Sequence, residues 1–287
     1  MFTGPLSDKG GLLVKTSVVE NYPGWEEGIN GFDLVQQMEK QASKYGAKIR
    51  DTAVVSVDFS DPTLKRVADD TGVVFKAKAV IICTGSNPNK LGLDREDIFW
   101  GKGISSCAVC DGALFKRKRI IVVGGGDSAM EEAQFLTKFS NVLLLHRGDK
   151  FRASKVMQAR VLANDKVTVQ LNSVIRKLHG VDYLEKVEVE NLQTGQRDVI
   201  SVDGLFYGLG LKPNTSLFRD KILLDNDGYV VTVPDGHLQT CTSVKGVFVA
   251  GDAHDKIYRQ AVVAAGDGCR AAMDVITWLE NGYDRAT

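Results

Sequence analysis

Ile120-Ile121-Val122-Val123-Gly124-Gly125-Gly126-Asp127-Ser128-Ala129 decides the fold of this chain. The unbroken β-branched run reads as a strand buried on both faces. The glycines close it in a tight turn, and residues 130–139 continue with helical spacing. Ser128, with Glu131 after it, reads as a capping box at the helix start. Residues 141–145 form the next apolar run, so 120–147 is one β-α-β unit. Gly124, Gly126 and Ala129 fill the small-residue places of a dinucleotide fingerprint. The first allows the turn, the second lets backbone approach a pyrophosphate, and the third lets helix pack on strand. The helix N-terminus, with Asp127 and Ser128, then faces the phosphates. Gly266-x-Gly268-x-x-Ala271 has the same spacing but lies in an apolar helical run with no preceding strand. It carries no such reading.

Downstream, the second strand ends in His146-Arg147, with Arg152 shortly after. A site for NAD would place an acid there for the ribose hydroxyls. Arginines favour a 2′-phosphate instead, hence NADPH as donor. Upstream lies Cys107-Ala108-Val109-Cys110-Asp111-Gly112. Two thiols at this spacing let one attack a disulfide and the other resolve the mixed disulfide. Asp111 is placed to move a proton to or from a thiol. The spacing also suits zinc, but the chain has no second pair at metal spacing. The basic run 116–119 between the two motifs reads as a solvated turn.

The chain has 287 residues, 44% of them apolar and 25% charged, with a formal net charge of zero. That is length for about two domains. The charge balance argues against a nucleic-acid partner. The apolar runs fall short of the ~20 residues a membrane helix needs. Met1-Phe2-Thr3-Gly4-Pro5-Leu6 lacks the pattern of a signal peptide. Five cysteines, an odd and scattered set, point to a reducing compartment and so to the cytoplasm. Cys83, Cys241 and Cys269 read as small buried hydrophobes.

Residues 32–45 have helical spacing, with Phe32, Val35, Met38 and Ala42 as the apolar face and Gly46 as the stop. Residues 49–59 and 73–78 read as strands, with loops at 58–62 and 69–72. Residues 79–83 read as a strand buried on both faces. Residues 84–88 and 207–213 are candidate crossings between domains. Residues 154–163 look helical, 167–206 alternate strands and turns, and 222–233 read as a hairpin. Residues 247–250 form a buried strand that ends in Gly251-Asp252, and 259–279 form a long helix.

These motifs together resemble the low-molecular-weight thioredoxin reductases. The resemblance rests on the Cys107–Gly112 and Gly124–Ala133 stretches, His146-Arg147, Phe151-Arg152-Ala153-Ser154, Gly251-Asp252, and Asp255-Lys256-x-Tyr258-Arg259-Gln260-Ala261. It covers nearly the whole chain, in the family order. It implies an α/β protein of two Rossmann-like three-layer nucleotide-binding domains. The FAD domain would be discontinuous, 1–86 plus 212–287, with the NADPH domain, 87–211, inserted and carrying the redox pair. Electrons would pass from NADPH by way of FAD to the Cys107–Cys110 disulfide and on to thioredoxin. By family role Cys110 lies nearer the flavin, Cys107 attacks thioredoxin, and Asp111 donates a proton. Asn21, Thr84, Gly85, Gly251, Asp252, Arg259, Gln260 and Ala261 correspond to FAD contacts. A homodimer, and rotation of one domain against the other, are further implications.

Three departures from the family stand out. Nothing before Gly124 has the strand and glycine turn that would hold the FAD pyrophosphate. The FAD domain is therefore expected to start late and to bind FAD weakly. Strand 79–83 is expected to lack a neighbour and stability to be low. Leu12 stands where the family has a polar glutamine, and Gly148 where it often has a second arginine. Two rival readings are a flavin disulfide reductase acting on another dithiol, and a catalytically impaired NADP-binding remnant.

Overall fold

The computed structural model describes residues 1–4, 9–16 and 18–280. Pro5 and Leu6 of the N-terminal stretch, and residues 281–287 of the second FAD segment, lie outside the described residues. Helix α1 (Gly31–Lys44) is capped by Asn30, whose side chain accepts the Phe32 and Asp33 amides. Gly46, at φ 89°, ends it. Its buried face is Gly31 and Leu34; Phe32, expected inside, is exposed. Leu34 packs instead with Val19 and Ile29 of the preceding loop.

Strands β1 (Val54–Asp58), β2 (Lys65–Asp69) and β3 (Val74–Ala77) form an antiparallel sheet. Sequence reading passes over β2, because its Lys-Arg start and Asp end hide the alternation. Asp69 closes the β2–β3 turn by accepting the Thr71 and Val73 amides. Strand β4 (Val80–Ile82) is not buried on both faces: Ile81 is exposed. Nor does it lack a neighbour. It runs parallel to a strand from the far end of the chain, residues 247–249. Valines and isoleucines of that pair pack with Val57, Phe59 and Val67.

Strand β5 (Ser86–Pro88) and the segment 211–213 pair antiparallel, so both candidate crossings lie side by side. Between them come α2 (Glu96–Phe99), β6 (Ile104–Ser105), α3 (Ala108–Asp111), β7 (Ile120–Gly124), α4 (Asp127–Leu136), β8 (Val142–Leu145), α5 (Lys155–Leu162) and β9 (Val167–Gln170). Strands β10 (Ser173–His179), β11 (Lys186–Asn191) and β12 (Arg197–Ser201) follow, and β13 (Gly204–Gly208) leads back to β14 (Leu211–Pro213). The parallel sheet has the order β6-β13-β7-β8-β9. The β7-α4-β8 unit forms as the opening stretch requires.

Alternation in that sheet sets three layers. Ile120, Val122, Leu144 and Phe206 face α4, meeting Ala129, Met130 and Ala133. Ile121, Leu145, Leu205 and Tyr207 face the other way, against Ile175, Leu178, Val187 and Val189 of the antiparallel β10-β11-β12 sheet. On that side the Tyr207 hydroxyl donates to Glu96 Oε1 at 2.6 Å, and Glu96 also accepts the Leu91 and Gly92 amides. Burial and the Glu96 carboxylate push the phenol above its ordinary pKa. Tyr207→Phe is expected to cost about 1–3 kcal/mol in urea unfolding, because it removes one donor from a buried carboxylate.

The chain closes with β15 (Val247–Val249), the strand beside β4, and α6 (Ala261–Glu280). The expected hairpin at 222–233 is reduced to a single antiparallel bridge, Leu224 to Val230, around a turn built on Asp225. No described helix is long and apolar enough to cross a membrane.

Candidate active site

Cys107 and Cys110 are joined as a disulfide, with Cα atoms 5.3 Å apart. Cys107 precedes α3 and Cys110 lies within it, and α3 is laid on α4: Ala108 is buried in one cluster with Met130 and Ala133. Gly112 allows this closeness, since a Cβ there would sit 3.0 Å from both Leu136 and Phe139 side chains. Cys107 is the N-cap of α3, and its Sγ accepts the Cys110 amide at 3.2 Å. A thiolate at Cys107 would be stabilised by that N–H.

Asp111 follows immediately. Its Oδ2 accepts the Ser105 hydroxyl at 2.6 Å, while Oδ1 is buried with no hydrogen-bond partner. Burial pushes its carboxyl above the usual range, the Ser105 bond opposes this, and the nearby Glu20 charge adds to it. Glu132 on α4 is similar. Its Oε2 is buried and unpartnered although the residue as a whole is half-buried. Burial raises its carboxyl to about 8, against the pull of Arg259. These two acids thus lie within electrostatic reach of Glu20 and Arg259, respectively, from segments distant in the chain. Ser105, Glu20 and Glu132 are not among the residues that the motifs mark as site residues in the sequence. The one local signal is position: Ser105 and Glu132 stand beside the cysteine and glycine motifs, and Glu20 precedes Asn21.

The glycine turn is built as its spacing requires. A Cβ at Gly124 would lie 2.3 Å from the Gly208 carbonyl and 2.6 Å from Ala129 Cβ. A Cβ at Gly125 would collide with the His146 ring at 2.2 Å, whereas at Gly126 it would meet nothing within 4 Å. The turn therefore has open space over Gly126 and the start of α4. The capping box at Ser128 is not formed. The N-cap is Gly126, with no side-chain cap. Asp127 instead accepts the Ser154 amide at 2.8 Å, and Ser154 caps α5. The 146–153 loop folds onto the turn, since the Arg152 and Ala153 amides both donate to the Gly125 carbonyl. His146 is buried, with Nε2 3.0 Å from the Lys150 carbonyl. Burial lowers its pKa, and the charges of Arg152 and Arg147 lower it further. Both arginines are exposed, and the charges of both reach His146. His146 itself forms the floor beneath Gly125.

The residues expected to hold FAD gather at the ends of β4 and β15. Asn21 Nδ2 donates to Gln260 at 2.9 Å across the chain. The Thr84 and Gly85 carbonyls accept from Asn214, and Ser86 donates to Asp252 at 3.1 Å. Burial raises the Asp252 carboxyl above its ordinary range. Gly251 turns at φ 68° and donates to the buried Asp267. Asp255 gathers the Ile257, Tyr258 and Arg259 amides, which delivers Gln260 and Ala261 to the start of α6. The N-terminus of this 20-residue helix suits an anion. This set of polar groups, with the unpartnered buried Glu132 Oε2 within electrostatic reach of Arg259, fits a polar cofactor such as a flavin. The expectation for the three remaining cysteines fails: Cys83 and Cys269 are exposed and Cys241 is half-buried. Cys83 follows the strand whose outer face is open, and Cys269 lies on the open side of α6.

A dinucleotide turn with a disulfide packed on its helix defines a nicotinamide-dependent disulfide oxidoreductase. The family described as pyridine nucleotide-disulphide oxidoreductase matches residues 9–268. A thioredoxin reductase of Streptomyces clavuligerus is 45% identical over 94% of this chain and 83% of its own length. Thioredoxin reductase 2 of Arabidopsis thaliana is 46% identical over 94% of this chain and 72% of its own. Among solved structures, thioredoxin reductase from Streptococcus pyogenes superposes with a TM-score of 0.86 at 36% identity, covering 95% of this chain and 87% of that one. The Giardia duodenalis thioredoxin reductase gives 0.87 at 36%, covering 97% and 90%. The chain belongs to the pyridine nucleotide-disulphide oxidoreductase family, in its thioredoxin reductase group. As such it is an oxidoreductase acting on a disulfide.

Proposed function

We propose that this chain uses NADPH to reduce thioredoxin through the Cys107–Cys110 pair. The observation that carries this is the formed disulfide seated on the helix that opens at the nucleotide turn. Bound FAD would supply the two-electron relay between NADPH and the disulfide. Gly124, Gly126, Asp127, Ser128 and Ala129 would hold the NADPH pyrophosphate, and Arg147 and Arg152 its 2′-phosphate. Asn21, Thr84, Gly85, Gly251, Asp252, Arg259, Gln260 and Ala261 would hold FAD. Cys107 attacks thioredoxin, Cys110 resolves the adduct, and Asp111 handles the proton. We assign 1–86 with 212–287 to the FAD domain and 87–211 to the NADPH domain. We further assign a homodimer, as the family resemblance implies, and a cytoplasmic setting, which the unpaired Cys83, Cys241 and Cys269 support.

The test is thioredoxin reduction by NADPH with FAD added. The pure chain should turn over thioredoxin, with NADPH preferred over NADH by roughly 10-fold or more through charge-assisted phosphate contacts. Arg147→Ala with Arg152→Ala should remove most of that preference and leave NADH turnover in place. Equal use of both nucleotides by the unaltered chain would reject the arginine assignment. Absence of thioredoxin turnover with added FAD would reject the function.

A further inference from the structure

We propose that Ser105 is a positioning residue for the acid of the disulfide site: held by Ser105 through Oδ2, the Asp111 carboxyl presents Oδ1 to the thiol pair as the oxygen that exchanges protons. The inference rests on the reading of Asp111 as that acid. Ser105 is buried, and its place is set by the sheet, because β6 pairs parallel with β13 and aligns Ser105 with Phe206. Its single hydroxyl proton goes to Asp111 Oδ2 at 2.6 Å, and its oxygen accepts the Cys107 amide at 3.1 Å. The Asp111 amide in turn donates to the Cys107 carbonyl at 3.1 Å. One hydroxyl therefore ties the carboxyl to the backbone of the attacking cysteine. What remains is Oδ1, shut from water and without a partner. A buried acceptor is rarely left unpaired, and such exceptions gather where a group has chemical work. The titratable group facing Asp111 from the other lobe is Glu20, whose charge disfavours ionisation; Ser105 favours it.

The proton path balances as follows. The Cys107 thiolate attacks the thioredoxin disulfide, whose S–S bond breaks as a Cys107 mixed disulfide forms. The leaving thioredoxin sulfur takes up the proton that Cys107 gave up. Cys110 passes its proton to Asp111 Oδ1 and attacks the Cys107 sulfur. That step forms the Cys107–Cys110 bond and expels the second thioredoxin sulfur, which receives the proton from Oδ1. Two enzyme thiols are oxidised, one thioredoxin disulfide is reduced, and two protons are carried across.

The first measurement needs no flavin. The carboxyl of Asp111 is followed by carbon-13 NMR of aspartate-labelled chain reduced with dithiothreitol, and Asp111→Asn identifies the signal. Loss of the Ser105 donor destabilises the carboxylate, so Ser105→Ala should move the titration midpoint upward. Ser105→Thr should restore it, and Ser105→Cys, a weaker donor of similar size, should fall between. The second measurement is thioredoxin reduction by the FAD-loaded enzyme. Ser105→Ala should lower kcat about tenfold and move the carboxyl-dependent inflection of the pH–rate profile upward in parallel. In an Asp111→Asn background Ser105→Ala should add nothing. An unmoved titration, or the same tenfold loss with and without Asp111, overturns the Ser105 inference. If Asp111→Asn keeps the full rate and an unchanged pH profile, it is the Asp111 reading that fails.

Discussion

Cys110→Ser is expected to abolish turnover and to capture thioredoxin covalently on Cys107. The Cys107 sulfur accepts the residue-110 amide at 3.2 Å, a bond from backbone that the substitution leaves in place. The Cys107 thiolate thus keeps its stabilising donor and its nucleophilicity. The resolving thiol is lost, so the mixed disulfide has no route onward. Turnover should fall by about a thousandfold or more, as when one member of a catalytic unit is removed. Thioredoxin with a single active-site cysteine, activated by an aromatic thiol, makes the adduct measurable by intact mass. Cys110→Ser should form it with release of the aromatic thiolate; Cys107→Ser should form little. The reverse pattern would exchange the roles of the two cysteines.

The second large effect lies in the packing beneath the nucleotide turn. Gly208→Ala would put a Cβ 2.5 Å from Ala129 Cα and 2.7 Å from Ala129 Cβ. Those atoms belong to the first turn of α4, and no side-chain rotation relieves the clash. Gly208 is also paired in register with Gly124, so displaced backbone drags the turn with it. The expected cost is about 3 kcal/mol in urea unfolding, with NADPH affinity reduced as well. Gly126→Ala is the contrast. Its φ of −98° suits any residue and its Cβ would enter open space. Stability should change by less than about 1 kcal/mol, as at ordinary surface positions, while NADPH binding weakens because the methyl occupies the phosphate approach. If Gly126→Ala leaves NADPH affinity unchanged, the phosphates do not sit over that glycine.

Much of the parallel-sheet lobe was legible because its signals are local. Ile120 to Val123 can bury both faces only in a covered sheet, and the spacing of Gly124, Gly126 and Ala129 demands a turn into a helix. The other lobe was less legible. Periodicity puts Phe32 inside, yet Leu34 is the buried residue, because the helix is rotated to meet Val19 and Ile29 of a loop without periodicity. Strand β4 looked fully buried from composition, but burial depends on what covers Ile81 and Cys83. The Ser128–Glu131 capping box had the right letters. In the fold Gly126 takes the cap position, and Asp127 is drawn to the Ser154 amide from a loop well down the chain.

The β-α-β unit, the redox-spaced cysteine pair and the arginines beside His146 are each written in residues close together along the chain, and the family in the order of such short motifs. Folding alone brings Ser105 to Asp111, Glu20 and Arg259 within electrostatic reach of Asp111 and Glu132, and β4 beside β15. Those relations join residues far apart in sequence or turned toward one another by packing. Their physical basis is a shared burial or a shared charge, which no local pattern encodes.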